Sequence, residues 1–184
     1  LPFKILSVIS LLISLSIAYF IFAGNQLSIQ LLTPTSLSAL TSQISELSTD
    51  GYVEVKPEAV VIGDEGVVSL AGSCYRVTAG TDAAQAESIL NGIEGKITER
   101  PNAHDLMKEI FEVMNIQVLM VKIVDIKPAA EGNANYLGRL IVKQGDNVLS
   151  LDTRPSDGIA LAVRTNSTIY FKESLMKERG QYVC

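Results

Sequence analysis

Residues 151–164 read Leu-Asp-Thr-Arg-Pro-Ser-Asp-Gly-Ile-Ala-Leu-Ala-Val-Arg. This stretch restricts the folds open to the chain more than any other. An extended run reaches Arg154, and Pro155 cannot continue a helix backward, so the helix starts there. Ser156 offers an N-cap hydroxyl for a helix from Asp157 to about Arg164. Ile159, Leu161, Ala162 and Val163 make that helix nearly apolar, so it has to be buried. A strand that feeds a buried helix needs a sheet for the helix to cover. A second Arg-Pro pair, Arg100-Pro101, precedes another helical segment. There Asn102 is the expected N-cap and Asp105 its capping-box partner. Leu106, Ile110, Val113 and Met114 form the stripe expected to be buried.

The remaining elements follow from periodicity and punctuation. Tyr52, Val53 and Val55 suggest a strand that Lys56-Pro57 interrupts. Val60-Val61-Ile62 leads into the turn Gly63-Asp64-Glu65-Gly66, and Val67, Val68 and Leu70 return. Cys74, Tyr75 and Val77 suggest a further strand, giving a meander. Thr81-Asp82 starts a helix with Ala86, Ile89, Leu90 and Ile93 on one face, and Gly92 and Gly95 end it. Gln117 to Asp125 alternates as a strand with Leu119, Val121 and Ile123 on one side, and Pro128 to Asn135 is a loop. Leu137–Val142 and Val148–Leu151 flank the turn Gln144-Gly145-Asp146-Asn147 as a hairpin. Thr168–Phe171 is a short strand, and Glu173–Arg179 is a surface helix. This order predicts an α+β domain. Its sheet is mixed and largely antiparallel, with about three to four packed helices.

One end of the chain differs in character. From Phe3 to Ala23 the only charge is Lys4. About 20 apolar residues at about 1.5 Å rise match a bilayer core of about 30 Å. The run is expected to be a transmembrane signal anchor over residues 1–23. A cleaved signal peptide is the alternative, although Ile21 fits a small-x-small cleavage site before Gly24 poorly. With Lys4 ahead of the run, the positive-inside rule puts the folded domain outside the cytoplasm in a single-pass membrane protein. Residues 24–50 are a Ser/Thr-rich tether in which Leu37, Leu40, Ile44 and Leu47 fall at helical spacing. The domain proper is 51–184.

Of the chain's 15 basic and 20 acidic residues, all but Lys4, Glu46 and Asp50 lie in that domain, leaving 14 and 18. A net charge of about minus four is no polyanion-binding surface by bulk charge. It leaves room for a metal-dependent site, where the cation supplies the positive charge. Cys74 and Cys184 are far apart; outside the cell they are able to pair, and two separate thiols are the other reading.

The two motifs carry a resemblance. Arg100-Pro-Asn-Ala-His104-Asp105-Leu106 is followed at a distance by Asp152-Thr-Arg154-Pro155-Ser156-Asp157-Gly-Ile-Ala-Leu-Ala-Val-Arg164. From about Val53 to Lys177 the chain resembles the bifunctional nuclease domain family, long a domain of unknown function. The resemblance implies a compact α/β domain that self-associates, and nuclease activity on DNA and RNA in some members. Three positions depart from the family pattern. Ala103 stands where Thr is usual, Gln85-Ala86 replaces Glu-Ala, and Gly158 replaces Ala, which weakens a helix by up to about 1 kcal/mol.

The candidate site residues each have two readings. His104, the only histidine, is a general base or metal ligand, or an imidazole that hydrogen-bonds a neighbouring strand. Asp152 and Asp157 are a candidate pair for Mg²⁺ or Mn²⁺ at a strand-to-helix turn. Otherwise Asp152 pairs with Arg154 or Arg100, and Asp157 answers the helix dipole. Arg100 and Arg154 suit a phosphate bidentately, or neutralise Asp105, Asp152 and Asp157. Asn102, Asp105 and Ser156 have structural work as caps. The expectation is a membrane-anchored, divalent-dependent nuclease with catalytic His104, Asp152 and Asp157. The alternative is a non-catalytic homo-oligomeric binding domain braced by the same residues.

Overall fold

A computed structural model describes residues 45–128 and 134–184. The expected membrane anchor and most of the tether lie outside the described residues. Among the described residues no helix is long and apolar enough to cross a membrane. Eight strands form one sheet: β1 (Tyr52–Ile62), β2 (Glu65–Gly72), β3 (Tyr75–Asp82), β4 (Ile116–Pro128), β5 (Ala134–Gln144), β6 (Asn147–Thr153), β7 (Thr168–Lys172) and β8 (Gln181–Tyr182). Among the described residues, four helices lie between or after these strands: α1 (Ala83–Ile93), α2 (Ala103–Val113), α3 (Pro155–Thr165) and α4 (Glu173–Arg179). The α+β class is as the sequence indicates.

The strand order is β6-β5-β4-β7-β1-β2-β3-β8. Two antiparallel meanders, β1-β2-β3 and β4-β5-β6, are joined through β7. That strand runs antiparallel to β1 and parallel to β4, the one parallel pairing in the order. A parallel neighbour needs a crossover, and α3 is the helix that makes it, from β6 back to β7. This explains its apolar sequence: Gly158 to Ala162 are all buried. They pack into a core with Val121, Ile123, Leu140, Val142, Ile169 and Phe171.

Several expectations are corrected. Pro57 does not interrupt β1. Residues 52–55 pair with β7 and residues 56–62 with β2, so the strand changes partner there and stays extended. In β4, Val118 is buried with Val121 and Ile123, and Leu119 is not. A register irregularity between Val118 and Met120 shifts the alternation by one residue. β4 and β5 run further than expected, to Pro128 and from Ala134, into the segment read as a loop. Ser156 is not the cap of α3. Arg154 occupies the N-cap position and Pro155 opens the helix, so Ser156 is its second residue. Pro suits that first position because its missing N–H would have no intrahelical partner.

The largest correction concerns α2. Leu106, Ile110, Val113 and Met114 are all exposed, Val113 at 76%. The side chains turned inward are those of His104 and, in part, Phe111. The expected stripe sits two residues further round, about 200° at 3.6 residues per turn. The reason is polar: the N-terminal end of α2 is fixed to α1 and α3 by hydrogen bonds of His104 and Asp105. Those bonds set the rotation of the helix, and its apolar stripe is left facing out.

On the other face of β4, Lys122 is buried between Val121 and Ile123 in sequence. Its Nζ donates to the backbone carbonyls of Glu46 and Ser48, 2.6 Å each, and lies over the Tyr52 ring. Burial pushes the Lys122 ammonium below its usual pKa, against the pull of Glu46. Lys122 therefore ties the last residues of the tether to the sheet. At the far edge, Cys74 and Cys184 form a disulfide, so the paired reading holds. The Val183 N–H also donates to the Cys74 carbonyl at 2.9 Å.

Candidate functional site

The two motifs meet where the N-termini of α2 and α3 come together. Asn102 caps α2 as expected: its side chain accepts from the N–H groups of His104 and Asp105, and Asp105 accepts from the Asn102 N–H at 2.9 Å. The Asn102 amide then donates to Ser88 Oγ on α1, 3.1 Å away. Ser88 Oγ lies 2.9 Å from His104 Nδ1, and His104 Nε2 lies 3.3 Å from Asp157 Oδ1. A carboxylate only accepts, so the hydrogen between His104 and Asp157 sits on Nε2, and the neutral ring then accepts the Ser88 proton at Nδ1. This assignment follows from the network.

Arg164 completes the layer. Its Nε donates to Asp105 Oδ1 at 2.6 Å, and its Nη1 to the carbonyls of Ser88 and Ala160. This pair is buried, with side-chain exposures of 5% and 14%. Burial alone would raise the Asp105 carboxyl. The hydrogen bonds from Arg164 and the Asn102 N–H, with the Arg164 charge, outweigh it and hold the pKa below the ordinary value.

The arginines of the Arg-Pro pairs behave otherwise. Neither Arg100 nor Arg154 forms an ion pair among the described residues, and both are exposed. The expected neutralisation of Asp105, Asp152 and Asp157 by these two arginines is not found: Arg164, Arg139 and His104 take those places. Asp152 stands opposite Arg139 in the β5–β6 register, 3.7 Å from it, with its side chain 81% exposed. It alternates with Leu151 and Thr153, so its carboxylate leaves the sheet on the face away from theirs.

A pocket of about 830 Å³ opens beside the start of α3. Arg154, Pro155 and Ser156 line it, with Asp152 and Thr153 contributing at the end of β6. Leu70, Val77, Ile123, Ile159 and Phe171, nearly fully buried, back it with apolar side chains, and Thr81, Asn135 and Tyr136 stand among its lining. Residues from β3 and from β5–β6, near opposite ends of the strand order, share this pocket. The sheet therefore curls around it. His104 and Asp157 are not in the lining, but Asp157 follows Ser156 directly. The candidate residues thus fall into three places: Arg154 and Ser156 at the pocket, His104, Asp105, Asn102 and Asp157 in the helix layer, and Asp152 at the pocket's edge with its carboxylate beside Arg139 on the opposite face of the sheet; Arg100 is in none of them.

The end of α3 suits an anion. The first N–H groups of a helix have no intrahelical acceptor. Pro155 has none to offer, and the Gly158 N–H closes the first turn onto the Arg154 carbonyl at 3.0 Å. Among the described residues Ser156 and Asp157 keep free N–H groups, and Arg154, which lines the pocket, directly precedes this turn. For a divalent cation, the described residues contain no group of three or more His, Cys, Asp or Glu side chains that converge. Asp152 and Asp157 engage different partners. Mg²⁺ commonly binds through one or two carboxylates, waters and substrate phosphates without an all-protein cage. Asp157, one-third exposed at the helix end, fits that habit. Ser88, Arg164 and Lys122 are the structural residues that sequence reasoning missed. Asp157 and Arg164 are seven residues apart and so share a helix face, a signal that both look toward α1 and α2.

These features define an α+β domain with a phosphate-suited pocket at a helix N-terminus and a His–Asp pair beside it. The family model described as bifunctional nuclease domain matches residues 77–183, more than half of the chain. The protein belongs to the bifunctional nuclease domain family. The match starts inside β3, so β1 and β2 precede it while sharing its sheet. Two curated relatives, both described as uncharacterized proteins, come from two strains of Mycobacterium tuberculosis. Each is 29% identical over 97 residues, covering 53% of this chain and 54% of the relative. The chain thus spans about half the length of the curated relatives it matches.

Proposed function

We propose that this domain hydrolyses phosphodiesters of nucleic acid, with its site at the N-terminus of α3. The observation that carries this reading is Asp157, held by His104 at 3.3 Å, one residue from the phosphate-suited pocket edge at Ser156 and Arg154. Arg154 and the free N–H groups of the first turn bind the phosphate oxygens and offset the charge gained as water adds to phosphorus. Asp157 accepts the proton of that water as the P–O bond to the departing sugar oxygen breaks, and that oxygen takes a proton from solvent. His104, itself buried, acts as a positioning residue by holding the carboxylate through Nε2–H. Asp152 lies at the rim and orients Arg139. A divalent cation such as Mg²⁺ or Mn²⁺, bound by Asp157 and the substrate phosphate, would lower the pKa of the attacking water. The disulfide fits an oxidising compartment, which supports the extracytoplasmic, membrane-tethered placement that the apolar residues 3–23 suggest.

A second reading has its own support. The exposed apolar stripe of α2 suits a homo-oligomer interface, and Asp105, Asn102 and His104 are engaged in bracing helices. In that reading the domain assembles and binds without cleaving. The two separate in one assay: cleavage of oligonucleotides by the purified full-length chain, with and without EDTA, beside its Arg154→Ala variant. Hydrolysis predicts a loss of about 100-fold in kcat/KM for the variant, and a loss of activity in EDTA. A folded wild-type chain that cleaves nothing in Mg²⁺ or Mn²⁺ leaves the binding reading.

A further inference from the structure

A phosphate group alone would fill a small part of a pocket of about 830 Å³. That volume is in the range of sites that enclose a whole small molecule. Its walls are of two kinds. Leu70, Val77, Ile159 and Phe171 lie behind its floor, each at most 6% exposed, and the half-buried Tyr136, its ring edge-on to Phe171 with centroids 5.7 Å apart, is the aromatic side chain at its surface. Thr81 and Asn135 bring donors and acceptors to the same space. Burial holds the Tyr136 hydroxyl above its usual pKa, so it keeps its proton and its capacity to donate. A planar, apolar-faced group with polar edges and an attached phosphate matches this lining, and a nucleotide is such a group.

We infer that the pocket takes one unstacked nucleotide, so that the domain acts on single-stranded nucleic acid in preference to duplex. This rests on the reading that Arg154 and the start of α3 hold the phosphodiester. A base inside a duplex is stacked on both faces and paired along its edge, and reaching it costs unstacking and unpairing. The rest of the surface does not compensate that cost. Duplex binding draws on many phosphate contacts by clustered Lys and Arg, whereas this domain carries 14 basic against 18 acidic residues. One arginine, one helix end and one half-open pocket suit a single nucleotide with its own phosphate. An aromatic wall accepts any base, because every base has a π-face. The pocket therefore selects strandedness more than sequence.

Calorimetric binding to the full-length chain tests this without relying on cleavage. The probes are adenosine monophosphate, inorganic phosphate, a short single-stranded oligonucleotide and its blunt duplex. The variant is Ala79→Leu, which adds bulk from a pocket-lining position on β3 and leaves Arg154 in place. Wild type should bind the mononucleotide about tenfold tighter than phosphate, and the single strand about tenfold tighter than the duplex. Ala79→Leu should lose both preferences and keep its phosphate affinity. The near-isosteric Thr81→Val, a milder change, should weaken mononucleotide binding and leave phosphate binding unchanged. Equal affinity for single strand and duplex overturns the inference. So does a mononucleotide preference that survives in folded Ala79→Leu. Nucleotide binding by a chain that cleaves no strand would remove the hydrolase reading and support the pocket assignment.

Discussion

Arg164 is held by three acceptors: the Asp105 carboxylate and the Ser88 and Ala160 carbonyls. Its Nη2 is buried with no partner among the described residues. Such a residue is expensive to disturb, because removing one member of a buried pair strands the other. Arg164→Met should cost about 3 kcal/mol of unfolding free energy, the low end for a broken buried pair. The Asp105 carboxyl lies below its ordinary pKa in the folded state. Its contribution is therefore full above the unfolded value of about 4, and is lost as the pH falls through the lower folded value. The stability gap between wild type and Asp105→Asn, followed by denaturation from pH 7 to pH 3, should shrink in acid. A gap constant across that range would contradict the ion pair. At this scale the sequence was partly legible. The capping box of Asn102 and Asp105 is local, and its spacing announces it. The partners of Asp105 and His104 are 59 and 53 residues away in the chain, and no local pattern names them.

The helix α3 explains the departure at position 158. A Cβ on Gly158 would stand 2.9 Å from Val121 Cγ1 and 3.2 Å from Thr153 Cγ2. The crossover helix lies so close to β4 that only glycine fits without a shift. Helix propensity favours alanine by about 1 kcal/mol, but crowding a filled core costs about 1–3 kcal/mol. Gly158→Ala should thus be destabilising on balance, and adding Val121→Ala should recover part of the loss. A thermally more stable Gly158→Ala protein would show the contact to be looser than described. Element types were readable because hydrophobic spacing is a local property: α1, α4 and the turn of the β5–β6 hairpin fall where their patterns put them, while both strands of the hairpin run longer. The rotation of α2 was not readable. Its apolar stripe points outward because His104 and Asp105 are tied to α1 and α3, and polar contacts between distant segments outweighed periodicity.

Across the whole domain, the order of strands is set by pairings far apart in sequence. β7 inserts between the two meanders, and β8 joins β3 at an edge. The hairpins were visible in the sequence; the joining of the meanders was not, because no turn residue encodes it. The pocket exists only because that joining curls the sheet, so its lining was illegible beyond Asp152, Arg154 and Ser156. The Cys74–Cys184 disulfide spans 110 residues and staples the last strand to the β2–β3 turn. Reduction should lower stability by about 2–5 kcal/mol; a denaturation midpoint unchanged by reductant would argue against the pairing. The central claim remains chemical, that the start of α3 is a hydrolytic centre with Asp157 as its base. Its direct test is kcat/KM of Asp157→Asn on a single-stranded oligonucleotide, with the fold verified by circular dichroism. Loss of the base predicts a fall of about 10² to 10⁴. A folded Asp157→Asn chain that cleaves as fast as wild type would contradict the account.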